Sequence, residues 1–225
     1  MKVCALIMAA GSGKRMGGSV KKQYLKIDDK EIIRLTAETF DSCPFIDEIA
    51  VVTGIDEIDF VKDILKGLNK IKAVVEGGSE RQYSVYNGLR ALRDCDIVLI
   101  HDGVRPFVRH RDIEACINET GKSKACVLGV PVKDTIKICN EDGVIESTPK
   151  RSMLWAAQTP QCFEYELIMS AYERAMADGF LGTDDASLAE RIGVKIKMVQ
   201  GSYDNIKITT PEDLFTGKAI KNTKN

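Results

Sequence analysis

Residues 8 to 24 read Met-Ala-Ala-Gly-Ser-Gly-Lys-Arg-Met-Gly-Gly-Ser-Val-Lys-Lys-Gln-Tyr, and they follow directly on the apolar run Val3 to Ile7. A strand therefore enters a loop with glycines at 11, 13, 17 and 18 and cations at Lys14, Arg15, Lys21 and Lys22. Small residues let the backbone approach a ligand closely, and the amides of such a turn can face an anion. Cations this closely spaced match a polyphosphate, whose charge must be met by fixed donors. A solvated basic loop after an edge strand is the other reading of the same residues.

Two common phosphate loops do not fit. A Walker A loop needs a glycine five residues before its Gly-Lys pair and a hydroxyl residue after it; here Met8 and Arg15 hold those places. A dinucleotide fingerprint begins at Gly11 and Gly13, but Met16 stands where its third glycine belongs.

Further motifs follow in order. They are His101-Asp102-Gly103-Val104-Arg105-Pro106, Pro131-Val132-Lys133-Asp134-Thr135, Trp155-Ala156-Ala157-Gln158-Thr159-Pro160-Gln161 and Asp204-Asn205-Ile206-Lys207-Ile208-Thr209. With the first loop, the set resembles the nucleotidyltransferases that activate sugar or polyol phosphates. Within these it looks like the 2-C-methyl-D-erythritol 4-phosphate cytidylyltransferases of non-mevalonate isoprenoid synthesis, over 3–214.

The resemblance implies a Rossmann-like nucleotidyltransferase fold that moves CMP from CTP to the polyol phosphate and releases pyrophosphate. By position, Arg15, Lys22 and Lys207 match the cations at the reacting phosphates, Lys207 arriving on a late strand. Ala9, Ala10, Gly11, Gly13, Gly78, Ser79 and Ser84 match the nucleotide site. Asp102, Arg105, Thr135, Arg151, Thr159 and Thr183 match the acceptor site, Thr135 and Arg151 reaching it from a partner subunit. Arg81 has two readings, a ligand or a structural ion pair.

Phosphoryl transfer needs positioned cations and a divalent metal rather than a nucleophilic side chain. Mg²⁺ or another divalent cation is expected, with Asp102 as a possible ligand and no acidic cage visible in the sequence. Three positions depart from the family pattern: Lys21 and Met8 stand where proline is frequent, and Ser79 where aspartate occurs. A ribitol-5-phosphate cytidylyltransferase and a non-catalytic nucleotide sensor on the same scaffold are the rival functions.

The elements that must hold these residues read as strands alternating with helices. Strands are expected at Val3–Met8, Glu48–Thr53, Ile71–Glu76 and 97–101, and helices at 31–40, 60–68 and 82–92. That order implies an α/β fold with a mostly parallel, twisted sheet and helices on both faces. The motif loops then fall at the carboxyl ends of strands, where ligands bind in such sheets.

Residues 134–151 break the alternation. Positions 135–139 and 144–147 flank an Asn-Glu-Asp-Gly turn and read as an inserted β-hairpin. The resemblance makes it an arm embracing a second subunit; a plain surface hairpin is the alternative. A helix at Tyr165–Ala177, a second at 186–192 capped by Asp184 or Asp185, a strand at 194–199 and a short helix opened by Pro211 complete the chain. Residues 218–225 read as a frayed tail.

At 225 residues the chain suits a single domain with a substantial core. Lys plus Arg total 32 against 33 for Asp plus Glu, which gives no general attraction to nucleic acid or a membrane surface. No apolar run reaches the length of a membrane span, and a cytoplasmic protein is expected. The 7 cysteines lack a paired spacing and the histidines number 2, so buried thiols are expected rather than a zinc site.

Overall fold

The computed structural model describes residues 1–11 and 20–223, and its first strand, β1 (Val3–Met8), is buried on both sides. Val3, Ala5 and Ile7 point into one core, while Cys4 and Leu6 point into another on the opposite face. Such two-sided burial requires the uninterrupted apolar run seen in the sequence.

A 3-10 turn at Lys22–Tyr24, the short antiparallel pair β2 (Lys26–Ile27) and β3 (Lys30–Glu31), and helix α1 (Ile32–Asp41) come next. The alternation continues with β4 (Glu48–Thr53), α2 (Ile58–Ile64), β5 (Ile71–Glu76), α3 (Arg81–Ala91) and β6 (Ile97–Asp102). Then follow α4 (His110–Ser123), β7 (Ala125–Pro131), β8 (Ile138–Cys139), β9 (Ile145–Ser147) and β10 (Trp155–Glu164). The chain continues through α5 (Tyr165–Ala177), α6 (Asp185–Arg191), β11 (Lys197–Gln200) and α7 (Pro211–Thr223).

The main sheet has the order β11-β7-β10-β6-β1-β4-β5. All its neighbours run parallel except β10, which is antiparallel to both β6 and β7. From β1 the chain moves outward through β4 to β5, then crosses back to β6 on the other side of β1. The loops leaving β1 and β6 diverge there, and the divergence opens a crevice at their carboxyl ends. Met8 pairs with Asp102, so both strands end at the same level.

Residues from α1, α2 and α4 cover one face of the sheet, and residues from α3, α5 and α6 the other. The α/β class and the mostly parallel sheet expected from the sequence are thus observed. A third cluster, Ile27, Ile32, Val104, Phe107 and Ile208, ties the loop after β6 to the segment carrying Lys207.

Several elements differ from expectation. α2 begins at Ile58 and stops at Ile64, because Gly67 turns the chain with φ +89. β11 starts only at Lys197, since the Val194 amide is still bonded to Ala189 O at the end of α6. α7 continues through most of the expected frayed tail to Thr223, with Ile220 against the third cluster and Lys221 2.7 Å from Asp28.

Lys207 lies on no strand. Residues 201–209 are irregular and are held by buried Asn205 and Ile208, whose amide bonds to Val104 O at 2.9 Å. α4, β7 and β10 were not foreseen. Pro160 argues against a central strand, and the sheet accommodates it with a register shift between Ala157 and Gln161. The Cys116, Cys126 and Cys162 thiols lie within 4.8 Å of one another, a convergence of α4, β7 and β10 that linear spacing does not reveal.

Candidate active site

At the crevice between β1 and β6 lies a cleft of about 350 Å³. Ala9, Ala10, Gly11 and Lys22 line it from the first loop, Gly78, Ser79 and Ser84 from the turn after β5, and Asp102 and Lys207 from the far side. A second, larger groove, about 820 Å³, opens beside α1 and the 106–111 loop and holds none of the expected site residues. The smaller cleft is therefore the candidate site, since volume alone assigns no chemistry. Arg15 and Gly13 lie outside the described residues.

Each wall has an internal brace. Gln23 is buried and its Nε2 donates to Ala9 O at 2.7 Å and to Gly11 O at 3.2 Å, fixing the chain where it leaves β1. Ser84 Oγ accepts the Gly78 amide at 2.9 Å and donates to Glu80 O at 3.0 Å, which closes the glycine turn. A Cβ on Gly78 would stand 2.4 Å from the Cβ of Tyr83, so that position excludes any side chain. With both hydroxyl roles taken, Ser84 shapes the turn and leaves Ser79 and backbone groups to face the cleft.

Electrostatics centre on Asp102. Its Oδ2 lies 2.9 Å from Lys207 Nζ and 3.4 Å from Arg105 Nε. Burial by itself would raise the pKa of this carboxyl, but Lys207, Arg81 and Arg105 together hold it well below the usual carboxylate range. Arg105 is partly buried beside Asp102 and donates through Nη1 to Asn205 O at 2.8 Å, so its guanidinium is engaged by the protein framework.

Thr159 also lies behind the cleft. Its hydroxyl is engaged by the Asp102 amide at 3.0 Å and His101 Nδ1 at 3.1 Å. Thr183 belongs to the turn before α6 and does not line the cleft. Thr135 is exposed, as is Arg151, whose Nη1 donates to Lys133 O at 3.0 Å on the arm. The chain thus gathers the expected nucleotide and Lys-Asp groups and leaves the arm residues apart from its own cleft.

Arg81 resolves as an ion pair that also lines the cleft. Its two terminal nitrogens grip both oxygens of fully buried Asp185 at 2.7 Å, and Tyr172 donates to the same carboxylate at 2.5 Å. Burial would depress the guanidinium pKa, but the Asp185 charge raises it instead. Asp184 caps α6 by accepting the Ser187 amide, and this presents Asp185 to Arg81.

Gln23, His101, Asp185 and Asn205 received no site role from the sequence. All sit inside or beside motifs read for other residues, and the available signal was a polar side chain flanked by residues bound for the core. Among the described residues, the only group of three carboxylate, imidazole or thiol ligands close enough to hold a metal is the buried cysteine cluster, none of whose members lines the cleft.

Comparison with known proteins follows the same lines. A family model described as 2-C-methyl-D-erythritol 4-phosphate cytidylyltransferase matches residues 3–223. A protein of that name from Clostridioides difficile is 51% identical over 96% of this chain and 92% of its own length. Another from Caldanaerobacter subterraneus is 50% identical over 97% of this chain and 98% of its own. The solved structure of 4-diphosphocytidyl-2C-methyl-D-erythritol synthase from Anaerococcus prevotii superposes with a TM-score of 0.89 at 36% identity, covering 98% of this chain and 96% of that one.

Two stability outcomes follow from the buried groups. Arg81→Met leaves the Asp185 carboxylate in the interior with Tyr172 alone, and is expected to cost about 3 kcal/mol, read from the urea midpoint. An unchanged midpoint would mean that Asp185 is solvated or protonated in the folded protein.

The second concerns His101, which burial holds at about 4 against the ordinary 6.5. Its neutral form contributes full stability above 6.5. As the pH falls towards about 4, the unfolded chain takes up a proton that the fold refuses, and stability declines. Urea midpoints measured stepwise through that window should fall in the wild type and fall less in His101→Gln; parallel slopes would contradict it.

Proposed function

The chain belongs to the 2-C-methyl-D-erythritol 4-phosphate cytidylyltransferase family, and on that premise we propose how its residues share the reaction. It transfers CMP from CTP to 2-C-methyl-D-erythritol 4-phosphate and releases pyrophosphate, in isoprenoid biosynthesis. The relatives favour this acceptor over ribitol 5-phosphate, and an enzyme over a nucleotide sensor. An oxygen of the acceptor phosphate bonds to the α-phosphorus of CTP while the bond from that phosphorus to the β-phosphate bridging oxygen breaks.

The carrying observation is the Lys207–Asp102 pair across the cleft from Lys22 and the glycine turn. In our reading Lys22, Lys207 and Arg15 meet the charge that gathers on the phosphoryl oxygens, as fixed donors do in phosphoryl transfer. Ala9, Ala10, Gly11, Gly78 and Ser79 form the nucleotide side, Ser84 supporting it, and Gly13 is assigned to it by resemblance alone. Asp102 holds Lys207 in place, and Arg105 holds Asp102.

A divalent cation, Mg²⁺ in the first instance, fits this donor set as a partner of the substrate phosphates rather than of a protein cage. Asp102 is the carboxylate placed to assist, through the oxygen that Lys207 and Arg105 do not take. When bound, the ion supplies Lewis-acid neutralisation of the triphosphate.

We also propose a cytoplasmic homodimer. β8 and β9 pair only with each other, and Ile136, Ile138, Val144 and Ile145 on this arm are all exposed in the single chain. A two-stranded hairpin is marginal in water without something to pack on, and a second copy gives a closed two-fold solution. Thr135 and Arg151 would then serve the partner's acceptor site, with Thr183 completing it from this chain.

The direct test is pyrophosphate release. Release should require CTP, the methylerythritol phosphate and a divalent ion together, and Lys207→Ala should lower turnover roughly a hundred- to thousand-fold, about 2.7–4 kcal/mol. Preference for ATP would remove the cytidylyl assignment, and full activity in excess chelator would remove the metal.

The arm has its own test. Lys22→Ala and Arg151→Ala proteins are each expected to be impaired, yet mixed under subunit exchange they should regain activity, because one hybrid site receives both natural residues. A monomeric mass, or no recovery after proven exchange, would place the arm over its own chain.

A further inference from the structure

Buried polar groups behind Asp102 form a closed circuit. His101 is fully buried at the next-to-last position of β6, with Nε2 3.0 Å from Arg105 O and Nδ1 3.1 Å from Thr159 Oγ1. A carbonyl only accepts, so Nε2 carries the ring proton. The Asp102 amide can only donate, so Thr159 Oγ1 accepts it, and Nδ1 is the partner that remains for the hydroxyl proton. The Thr159 hydroxyl must therefore donate to Nδ1, which leaves its oxygen to accept the Asp102 amide at 3.0 Å. This proton order satisfies both ring nitrogens and the hydroxyl.

That order clamps the site loop from behind. The turn from Asp102 to Arg105 closes through its own bond, Arg105 N to Asp102 O at 3.0 Å. Thr159 holds the amide at its start, and His101 holds the carbonyl at its end. The same threonine accepts Asn205 Nδ2 on its carbonyl at 2.9 Å, and Asn205 O in turn receives Arg105 Nη1 at 2.8 Å. Asn205 belongs to the irregular segment that delivers Lys207, so the circuit fixes both members of the Lys207–Asp102 pair. The Phe40 ring lies 4.8 Å from the imidazole and limits its tilt.

We propose that His101 and Thr159 are positioning residues for CMP transfer, acting through Asp102, Arg105 and Lys207 rather than by touching the acceptor. The proposal rests on the cytidylyl-transfer reading. It reassigns Thr159, which resemblance placed at the acceptor: the residue is 5% exposed, does not line the cleft, and its one hydroxyl proton goes to His101. Reacting groups displaced by about 1 Å can lose on the order of a hundredfold in rate, so a clamp on the loop backbone is enough to govern turnover.

Thr159→Val and Thr159→Ser separate this role from packing. Valine keeps the shape and removes the hydroxyl; it is expected to lower kcat/KM for the acceptor on the order of ten- to a hundredfold while CTP affinity stays at the wild-type value. Serine keeps the hydroxyl and should restore most of the loss. Equal losses in the two variants, or a parallel loss of CTP binding in Thr159→Val, would overturn the positioning role. A wild type that releases no pyrophosphate would instead overturn the transfer reading, and this proposal with it.

A second measurement stands if Thr159→Val fails to fold. The chain has 2 histidines, so the ¹⁵N resonances of His101 are those that remain in His110→Gln. They should show the Nε2–H tautomer at neutral pH, and the opposite tautomer would overturn the circuit.

Discussion

A carboxylate almost removed from water sets the terms for this site. Ionised Asp102 survives at the end of β6 only because Lys207, Arg105 and Arg81 surround it, against a desolvation cost of several kcal/mol for such an ion. Each of those cations comes from a different part of the chain: the loop after β6, the start of α3, and the segment after β11. Satisfying one charge therefore draws three stretches into register. Arg81 is in turn fixed by Asp185, so the compensation extends across to α6. Charge balance here is an assembly rule as well as an electrostatic fact.

The sheet makes the convergence possible without specifying it. Parallel strands deliver their carboxyl ends to one edge, and the reversal of strand order beside β1 leaves a crevice there. What turns a crevice into a defined cleft is a set of side chains that face the backbone. Gln23 fixes two carbonyls after β1, Ser84 closes the glycine turn after β5, and Thr159 with His101 closes the turn after β6. Groups that face a ligand can be precise only when groups behind them are satisfied.

This division explains what the sequence disclosed. β1, β4 and β5 were legible because buried parallel strands are written as continuous apolar runs, and α5 because its apolar residues recur at helical spacing. Lys22, Asp102 and Lys207 were legible as cation and carboxylate types in ordered motifs. β10 was not, since Pro160 contradicts the local signature of a central strand and only its neighbours β6 and β7 compensate. The backbone bonds of Thr159 and Ser84 were obscured for a different reason: a hydroxyl reads the same in sequence whether it faces a substrate or a backbone amide. His101 and Asn205 likewise have meaning only through partners far away in the chain.

The pairing of Lys207 with Asp102 also answers a problem that any polyphosphate cleft must solve. Cations gathered for an anionic ligand repel one another while the cleft is empty, and a flexible lysine would swing towards solvent. Asp102 takes one of the three ammonium donors at 2.9 Å and leaves the others directed to the cleft, where Lys207 remains 37% exposed. Arg81 differs, since both of its terminal nitrogens are taken by Asp185 at 2.7 Å. A buried carboxylate thus orients Lys207 without hiding it. On the proposed assignment, an arriving triphosphate meets that donor already oriented, and little of the binding free energy is lost in ordering it.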